Sequence, residues 1–370
     1  MKFTCSKESI AEAVNNVSPA VSSKSALTAL EGILLSCKDG SLSLTGYNLE
    51  LGITKVIDVA SREDGDIILP ARLLGEILNK AGSGEISFST DEKNLTVINT
   101  GSSEFTILGI DAKEYPEIPT ITEQNTFSLP NSLLKSMIGQ TNFAVAQSDQ
   151  IPITTGTLFD LSDGVLSMVA VDGCRLALRK EPVKVDGEFY FVVPGKTLVE
   201  IQKLLIKLGG EEEEDMVEMN VSRKHIIFSV GGYSVVSRLL EGEFLDYRAA
   251  IPADKKTTVR ISTREFIRSI DLTSIIITDK IKSHIRCEFA DNNVNVSCVT
   301  TIGKANDSLS ASIEGENVTI GFNNKFMTDA LKASECDEVI IEMSGPLSPM
   351  KILPTDGDSF LFLVLPVRLK

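Results

Sequence analysis

Three carboxylates lie close together in the middle of the sequence, where side chains of this type could bind divalent metal ions for hydrolysis. They are Asp160, Asp163 and Asp172. A two-metal site needs several oxygen ligands of this kind. However, Asp163 and the glycine after it form a pair that is typical of a tight hairpin turn, and Asp172 also stands where a turn begins. A carboxylate-metal enzyme is therefore kept as an alternative hypothesis.

Other residue types that support catalysis are scarce or scattered. The two histidines, His225 and His284, lie in strand-like sequence. The chain therefore has few residues from which a hydrolytic triad or a histidine-based metal site could be built. The six cysteines form no C-x-x-C pair and are expected to be reduced, buried thiols: Cys5, Cys37, Cys174, Cys287, Cys298 and Cys336. The sequence therefore favours a protein with no catalytic centre, metal or cofactor.

The composition is that of an ordinary globular protein. Of the 370 residues, 42% are hydrophobic and 24% are charged, and this length is typical of two or three domains. The longest purely apolar run, residues 360–365, is far shorter than a membrane helix, and the first residues lack the apolar stretch of a signal peptide. We therefore expect a cytoplasmic protein that does not enter membranes.

A long internal repeat organises the chain. A short apolar strand followed by a helix start occurs at 3–6, 127–130 and 259–262, and a second one at 69–72, 193–196 and 322–325. Ser262 and Glu265 form a capping box, and Pro130 suits a first helical position. Hairpin turns at 39–40, 163–164 and 291–293 recur with the same period of about 125 residues.

This period predicts three tandem, similar α+β domains, each with two helices packed on an antiparallel sheet. It is too long for a solenoid, so each repeat should have its own core. Similar extended segments at 114–119 and 243–252 place the boundaries, which gives domains at 1–121, 122–252 and 253–370.

Charge is distributed unevenly along this frame. The net charge of −15 argues against binding to nucleic acid if it is evenly spread. Yet the six predicted helices together carry a small positive charge, and Lys196, Lys203 and Lys207 fall on one outer face of the fourth. A helix stop at Gly209-Gly210 precedes an acidic run at 211–215. Positive charge is therefore concentrated on the helices and negative charge elsewhere.

Three cations occupy the same unfavourable place in each repeat. Arg72, Lys196 and Lys325 lie in the first turn of their helices, where the helix dipole disfavours a cation by about 0.3–1 kcal/mol. The phosphates of a DNA duplex would offset this cost. If copies of the chain close by rotation, the helices would line a ring that binds DNA loosely and without sequence preference.

Three separated motifs on this frame resemble one family. Residues 171–177 are similar to an A-T-D-G-H-R-L stretch, residues 244–252 to an F-P-D-Y-R linker, and residues 365–369 to an M-P-M-R-L tail. With the three repeats, they resemble the bacterial sliding clamps, the beta subunits of DNA polymerase III, over the whole chain. Cys174, Leu245 and Ala249 stand where that family often has His, Pro and Arg.

The resemblance implies a fold and a function. The fold would be that of the DNA clamps, with one chain forming half of a closed, head-to-tail homodimeric ring. The ring would encircle duplex DNA and slide along it as a non-catalytic processivity factor for DNA replication. Its partners would be the DNA polymerase III alpha subunit, the clamp loader and other replication or repair proteins that carry a short clamp-binding peptide.

The resemblance also implies site residues. A hydrophobic peptide-binding pocket would use Thr154, Val171, Gly173, Cys174, Arg175, Leu176, Leu245, Ala249, Ala250, Val364, Leu365, Pro366, Val367, Arg368 and Leu369. DNA contacts would come from Lys24, Arg72, Lys196 and a loop with Ser148, Pro152 and Ile153, to which the charge pattern adds Lys203 and Lys325. Dimer contacts would be Phe105 and Ile107, exposed on an edge strand, and Ile276 and Ile277. A protein-binding scaffold without DNA remains a further alternative.

Overall fold

The computed structural model describes residues 1–122, 125–148, 150–185, 187–208, 215–278 and 283–369, without the side chain of Leu208. The predicted helix stop at Gly209-Gly210, residues 211–214 of the acidic run and the final Lys370 lie outside the described residues. In the part of the chain that is described, no helix combines the length and apolar character needed to span a bilayer.

The first third of the chain contains β1 (Lys2–Ser6), α1 (Lys7–Val17), β2 (Gly32–Lys38), β3 (Ser41–Tyr47), β4 (Leu51–Asp58), β5 (Ala60–Glu63), β6 (Gly65–Pro70), α2 (Ala71–Lys80), β7 (Glu85–Thr90), β8 (Leu95–Asn99) and β9 (Glu104–Leu108). The middle third contains β10 (Thr126–Pro130), α3 (Asn131–Gly139), β11 (Gly156–Ser162), β12 (Val165–Val171), β13 (Arg175–Pro182), β14 (Phe189–Pro194), α4 (Gly195–Leu208), β15 (Met216–Val221), β16 (His225–Val230) and β17 (Tyr233–Arg238). The last third contains β18 (Thr257–Ser262), α5 (Thr263–Ser274), β19 (Ile285–Ala290), β20 (Asn293–Thr300), β21 (Gly303–Ser310), β22 (Ser312–Gly315), β23 (Val318–Phe322), α6 (Asn324–Ala333), β24 (Glu338–Met343), β25 (Met350–Leu353) and β26 (Phe360–Val364).

The helices begin where the repeated strand-to-helix signals predict. The Ser6 hydroxyl accepts a hydrogen bond from the Ser9 N–H at the start of α1. The Ser262 hydroxyl likewise accepts from the Glu265 N–H at the start of α5, which satisfies one unpaired donor of the first turn. One detail was wrong: Pro130 is the last residue of β10, and α3 begins at Asn131.

The predicted hairpin turns are confirmed by their backbone angles. Asp39 and Gly40 both have positive φ, and so do Asp163 and Gly164. In the last repeat Asp291 and its neighbour Asn292 adopt the same conformation. Two successive residues with positive φ give the turn twist that matches two antiparallel strands, and Asp, Asn and Gly tolerate this conformation best.

The described chain divides into two compact units. The first comprises 1–132 and 200–239. It contains a five-stranded sheet in the order β5-β1-β7-β8-β9 and an eight-stranded sheet in the order β10-β15-β16-β17-β4-β3-β2-β6. Helices α1 and α2 pack side by side in this unit, where the Asn15 amide donates to the side-chain oxygen of Asn79 at 3.2 Å, and each buries an apolar stripe.

The second unit comprises 133–199 and 240–370. Its nine-stranded sheet has the order β14-β11-β12-β13-β26-β25-β24-β18-β22, and its four-stranded sheet has the order β21-β20-β19-β23. Helices α5 and α6 bury Phe266, Ile270, Met327 and Leu331 in its core. All of the strand pairings among the described residues are antiparallel, so each unit has the predicted architecture of helices on antiparallel sheet.

Neighbouring repeats share sheets, which the sequence did not predict. Strand β17 of the middle repeat pairs with β4 of the first, and β13 of the middle repeat pairs with β26 of the last. The two units therefore group strands by sheet, whereas the repeats divide the chain by sequence. The domain boundaries near 121 and 252 remain predictions.

Candidate functional site

Three segments that were predicted to form a pocket come together in the second unit. They are the rim loop (172–174) between β12 and β13, the linker (244–252), and the C-terminal tail (365–369). Arg175 pairs with Val364 in the ladder between β13 and β26, and the Leu365 N–H donates to the Cys174 carbonyl at 2.9 Å one step further. The tail therefore begins as an extension of a buried sheet beside the rim loop.

A buried apolar cluster forms the floor below these segments. Val171 and Leu176 pack in it with Phe244 and Tyr247 of the linker and with Leu363 of β26. Burial of large apolar side chains is worth roughly 1.5–3 kcal/mol each. The floor therefore holds rim loop, linker and β26 together without any ligand.

The surface above the floor is apolar and exposed. Leu245 has 51% of its surface exposed, Leu365 40% and Leu369 41%. We define the apolar rim as these three leucines with the exposed or half-buried Thr154, Gly173, Cys174, Ala249, Ala250, Pro366 and Val367. Exposed apolar groups next to one another are typical of surfaces that bind a protein segment.

Arg175 lies beneath the apolar rim and not on it. Its guanidinium contacts Asp172 at 2.9 Å and Asp329 of α6 at 2.7 Å, and the whole residue is only 6% exposed. It also stacks over Phe326 and Phe143, with 4.6 and 5.5 Å to the ring centroids. Its charge is thus already paired, and its side chain supports the rim from below.

Asp172 shapes the rim loop directly. Its carboxylate accepts hydrogen bonds from the backbone N–H groups of Cys174 at 2.9 Å and of Arg175 at 3.0 Å. Gly173 between them has φ +84°, a conformation that glycine adopts without strain. These contacts fix the loop so that Cys174 is exposed at the edge of the rim.

Asp160 anchors the linker in a similar way. This buried carboxylate on β11 accepts a hydrogen bond from the Tyr247 hydroxyl at 2.8 Å and one from Arg248 at 2.9 Å. Burial and then the hydrogen bond to Asp160 raise the pKa of Tyr247 to about 12, so the hydroxyl keeps its proton. Tyr247 and Arg248 lie between Leu245 and Ala249 in the sequence, so these contacts hold the segment that carries both rim residues.

The three carboxylates of the metal hypothesis have separate roles. Asp160 holds the linker, Asp172 holds the rim loop, and Asp163 occupies a hairpin turn with φ +51°. Among the residues that the structure describes, no group of three or more His, Cys, Asp or Glu side chains could hold a metal ion. The arrangement therefore gives the enzyme alternative no support.

The repeated cations occupy equivalent places. Arg72, Lys196 and Lys325 are each the second residue of their helix, and all three side chains are exposed. Arg72 lies 3.0 Å from Glu76, but 93% of the Arg72 side chain is exposed. Because solvent screens such an exposed ion pair, Glu76 neutralises the charge of Arg72 only weakly. Lys203 is also exposed and contacts Glu200 at 2.8 Å.

The remaining predicted DNA contacts differ in exposure. Lys24, Ser148 and Pro152 are exposed. Ile153 is only 8% exposed and packs in the apolar floor. Its side chain therefore anchors the loop from within, and a DNA contact at this position would have to come from its exposed neighbours.

The predicted dimer residues are also placed differently from one another. Strand β9 is an edge strand, as expected, and Phe105 is 38% exposed. The expectation that Ile107 is exposed was wrong, because only 7% of this residue is exposed. Leu108 is 65% exposed instead. Ile276 and Ile277 are half-buried after α5.

Sequence reasoning missed the supporting residues of the rim. Asp160 was considered only as a metal ligand, and Asp329 and Phe326 were not singled out. Tyr247 lies within the F-x-D-Y-R stretch of the linker, which was a usable signal. The pairing of Asp329 with Arg175 joins positions far apart in sequence, and no local pattern predicts it.

Comparisons with known proteins agree along the whole chain. Family models described as the N-terminal, central and C-terminal domains of the DNA polymerase III beta subunit match residues 1–119, 128–246 and 248–368. The chain is 33% identical to the beta sliding clamp of Halalkalibacterium halodurans and 32% identical to that of Bacillus subtilis, with all of each chain covered.

Solved structures give the same result. The DNA polymerase sliding clamp from Bacillus subtilis matches with a TM-score of 0.95 at 32% identity, with all of both chains covered. A putative DNA polymerase III beta subunit from Eubacterium rectale matches with a TM-score of 0.94 at 33% identity, with 99% of both chains covered. The three family models match the chain from end to end, and the described residues contain six α-helices and antiparallel sheets. This chain therefore belongs to the family of DNA polymerase III beta subunits, the sliding clamps.

Proposed function

We propose that the chain is a processivity factor that forms a homodimeric ring around duplex DNA and tethers replication proteins through the apolar rim. The observation that carries this proposal is the rim itself, an exposed apolar surface that buried contacts hold in place from three separate segments. A tether of this kind converts rebinding of a polymerase into an effectively intramolecular event. It needs no catalytic residue of its own.

The rim suits a short peptide with apolar side chains. Leu245, Leu365 and Leu369 offer apolar contact area, while Arg368 is an exposed cation beside them. We assign the DNA polymerase III alpha subunit, the clamp loader and other proteins that carry a clamp-binding peptide as partners. The exposed and half-buried pocket residues named from the sequence remain the proposed contacts. Four members of that set are buried and act from below, namely Val171, Arg175, Leu176 and Val364.

Binding of DNA would be electrostatic and independent of sequence. The exposed cations at equivalent helix starts, with Lys24, Lys203 and the loop at Ser148 and Pro152, are the proposed phosphate contacts. Such contacts carry no information about base sequence, and they weaken as salt rises. Weak contacts of this type allow the ring to slide.

Two free strand edges suit assembly of a head-to-tail dimer. Strand β9 ends the five-stranded sheet of the first unit, and β21 ends the four-stranded sheet of the second. Phe105 and Leu108 are exposed on β9, and Ile275, just before the predicted Ile276 and Ile277, is 72% exposed. An exposed edge with apolar side chains favours pairing with another edge. We propose that β9 of one copy pairs with β21 of another. We also propose that the protein acts in the cytoplasm.

Retention on DNA of two topologies tests the proposal. The protein is loaded on nicked circular DNA with a clamp loader, and the amount bound is compared before and after the circle is cut once. A ring is retained on the circle and lost from the linear form, whereas equal retention on both would exclude topological binding. The molar mass of the free protein in solution should be that of two chains.

Removal of the tail tests the rim separately. Deletion of residues 365–370 should abolish binding of the purified alpha subunit, measured by surface plasmon resonance, because the deletion takes away a large part of the rim. The deletion should leave the dimer mass of the free protein unchanged. Unchanged affinity for the alpha subunit would refute the assignment of the rim.

A further inference from the structure

The course of the tail after Pro366 depends on a strand that the sequence analysis did not connect with the pocket. Strand β23 is an edge strand of the four-stranded sheet. The Val367 N–H donates to the Gly321 carbonyl at 2.9 Å, which makes an isolated antiparallel bridge between the two residues. The tail thus leaves the nine-stranded sheet at Leu365 and attaches to the free edge of the other sheet at Val367.

Gly321 provides the space in which the end of the tail lies. Its neighbours Ile320 and Phe322 are buried in the core, so a side chain at position 321 would project to the opposite face of β23. A methyl group there would lie 2.6 Å from Cδ2 of Leu369 and 3.0 Å from the carbonyl oxygen of Val367. Leu369 therefore occupies the place that a side chain would otherwise fill.

The backbone of Gly321 does not itself require glycine. It is not among the glycines with positive φ, and it lies within a regular strand where larger residues are favourable. Glycine in a strand interior costs stability and often marks close approach of another backbone. Here the approaching chain is the tail.

We infer that Gly321 is a positioning residue of the peptide site, because its missing side chain seats Leu369 and fixes the tail against β23. This inference rests on the proposed function of the rim. Any side chain at 321 moves Leu369 and strains the bridge at Val367. The nearest atom ends a flexible side chain, so the fold tolerates a small addition and the cost falls on the tail.

Two substitutions of increasing size measure this role. Gly321→Ala should weaken binding of the purified DNA polymerase III alpha subunit about tenfold, and Gly321→Val should weaken it further, as expected when an anchor of an interface is displaced. Thermal unfolding and dimer mass should stay close to those of the parent protein. Gly82→Ala is the matched control, because a methyl group there meets nothing within 4 Å and its φ is not positive.

A double-mutant cycle separates positioning from general damage. Leu369→Ala removes the atoms that the new methyl group would meet. Gly321→Ala should therefore cost clearly less affinity in the Leu369→Ala background than in the parent, while a general packing defect would cost the same in both. Equal costs, or parent-like affinity of both Gly321 variants, would overturn the inference.

The deletion of residues 365–370 keeps the test decisive if Gly321→Ala fails to fold. In that background the substitution has no tail to meet, so the shortened variant should fold like the shortened parent. If it also fails to fold, position 321 is structural and the inference is wrong. If the deletion itself leaves the affinity for the alpha subunit unchanged, the proposed function of the rim fails instead.

Discussion

The apolar rim and the cationic helix starts are built in opposite ways. Below the rim, Arg175 and Asp160 are buried, and their contacts fix the rim loop and the linker. At the helix starts, Arg72, Lys196 and Lys325 are exposed. They have in common only that each is the second residue of its helix. The difference suits the two proposed ligands, since a peptide has one binding geometry and a sliding duplex has none.

The largest effect should come from removing the buried cation. Arg175→Ala leaves Asp172 and Asp329 without their partner, and loss of one member of a buried ion pair costs about 3–5 kcal/mol. Urea denaturation should show this loss of stability. The variant should also bind the alpha subunit more weakly. Arg368→Ala, which removes an exposed cation from the tail, is the control and should change stability by no more than about 0.5 kcal/mol. Similar urea midpoints for both variants would show that the buried Arg175 contributes no more to stability than the exposed Arg368.

Removal of the linker anchor should have an intermediate effect. Asp160→Ala removes the acceptor to which the buried Tyr247 hydroxyl donates, and this loss costs about 1–3 kcal/mol. Asp160→Asn keeps an acceptor oxygen and should cost less. The same denaturation experiment measures both, with Asp163→Asn as the control in a turn that Asn tolerates. If Asp160→Ala were as stable as this control, the linker would not depend on its buried carboxylate.

Removal of two exposed cations should weaken DNA binding and leave the other properties of the protein nearly unchanged. Arg72→Ala combined with Lys196→Ala should weaken DNA binding a few-fold and make its logarithmic dependence on salt shallower by about 2, one for each phosphate that is no longer neutralised. Fluorescence anisotropy at several salt concentrations measures the slope. Affinity for the alpha subunit should not change. Lys93→Ala, in an exposed turn, should leave the slope as it is, and a parent-like slope in the double variant would remove these two residues from the DNA site.

The smallest effect should depend on pH. Burial would raise the pKa of Glu342, but hydrogen bonds from Lys255 and Lys351 and their charges hold it below its ordinary value of 4.5. The stabilisation is therefore complete above that value and is lost as pH falls through the lowered pKa. Lys255→Ala should lower the urea midpoint slightly at neutral pH and leave it unchanged in strong acid.

The matched comparison for this pH effect is an exposed pair. Lys256 lies 3.8 Å from Glu316, and both side chains are mostly exposed. Lys256→Ala should therefore change the urea midpoint little at any pH. A loss for Lys255→Ala that persists unchanged in acid would show that its cost is not electrostatic.

Local signals in the sequence were enough to predict the helices and the hairpins. Helix starts have causes within a few residues, such as the Ser6 and Ser262 caps, and each hairpin has turn residues that tolerate positive φ. Repetition of these signals revealed the three repeats. The pairing of β17 with β4 depends on residues far apart in sequence, and no local pattern carries it.

The candidate site was predicted less well because burial decides the role of a side chain. A sequence shows that position 175 is Arg but not that two aromatic rings and two carboxylates enclose it. Ile107 and Ile153 were expected at surfaces, and the structure buries both. The resemblance located the segments of the pocket, and only the structure separates its floor from its exposed rim.

Sheets that continue from one repeat into the next limit how this chain can be dissected or rearranged. Excision of a single repeat would uncover β4 or β17 in one sheet and β13 or β26 in the other. A bare internal strand presents unpaired backbone groups and attracts other chains, so isolated repeats would aggregate. The three repeats resemble one another in sequence, but none of them can be cut out or exchanged without damage to its neighbour.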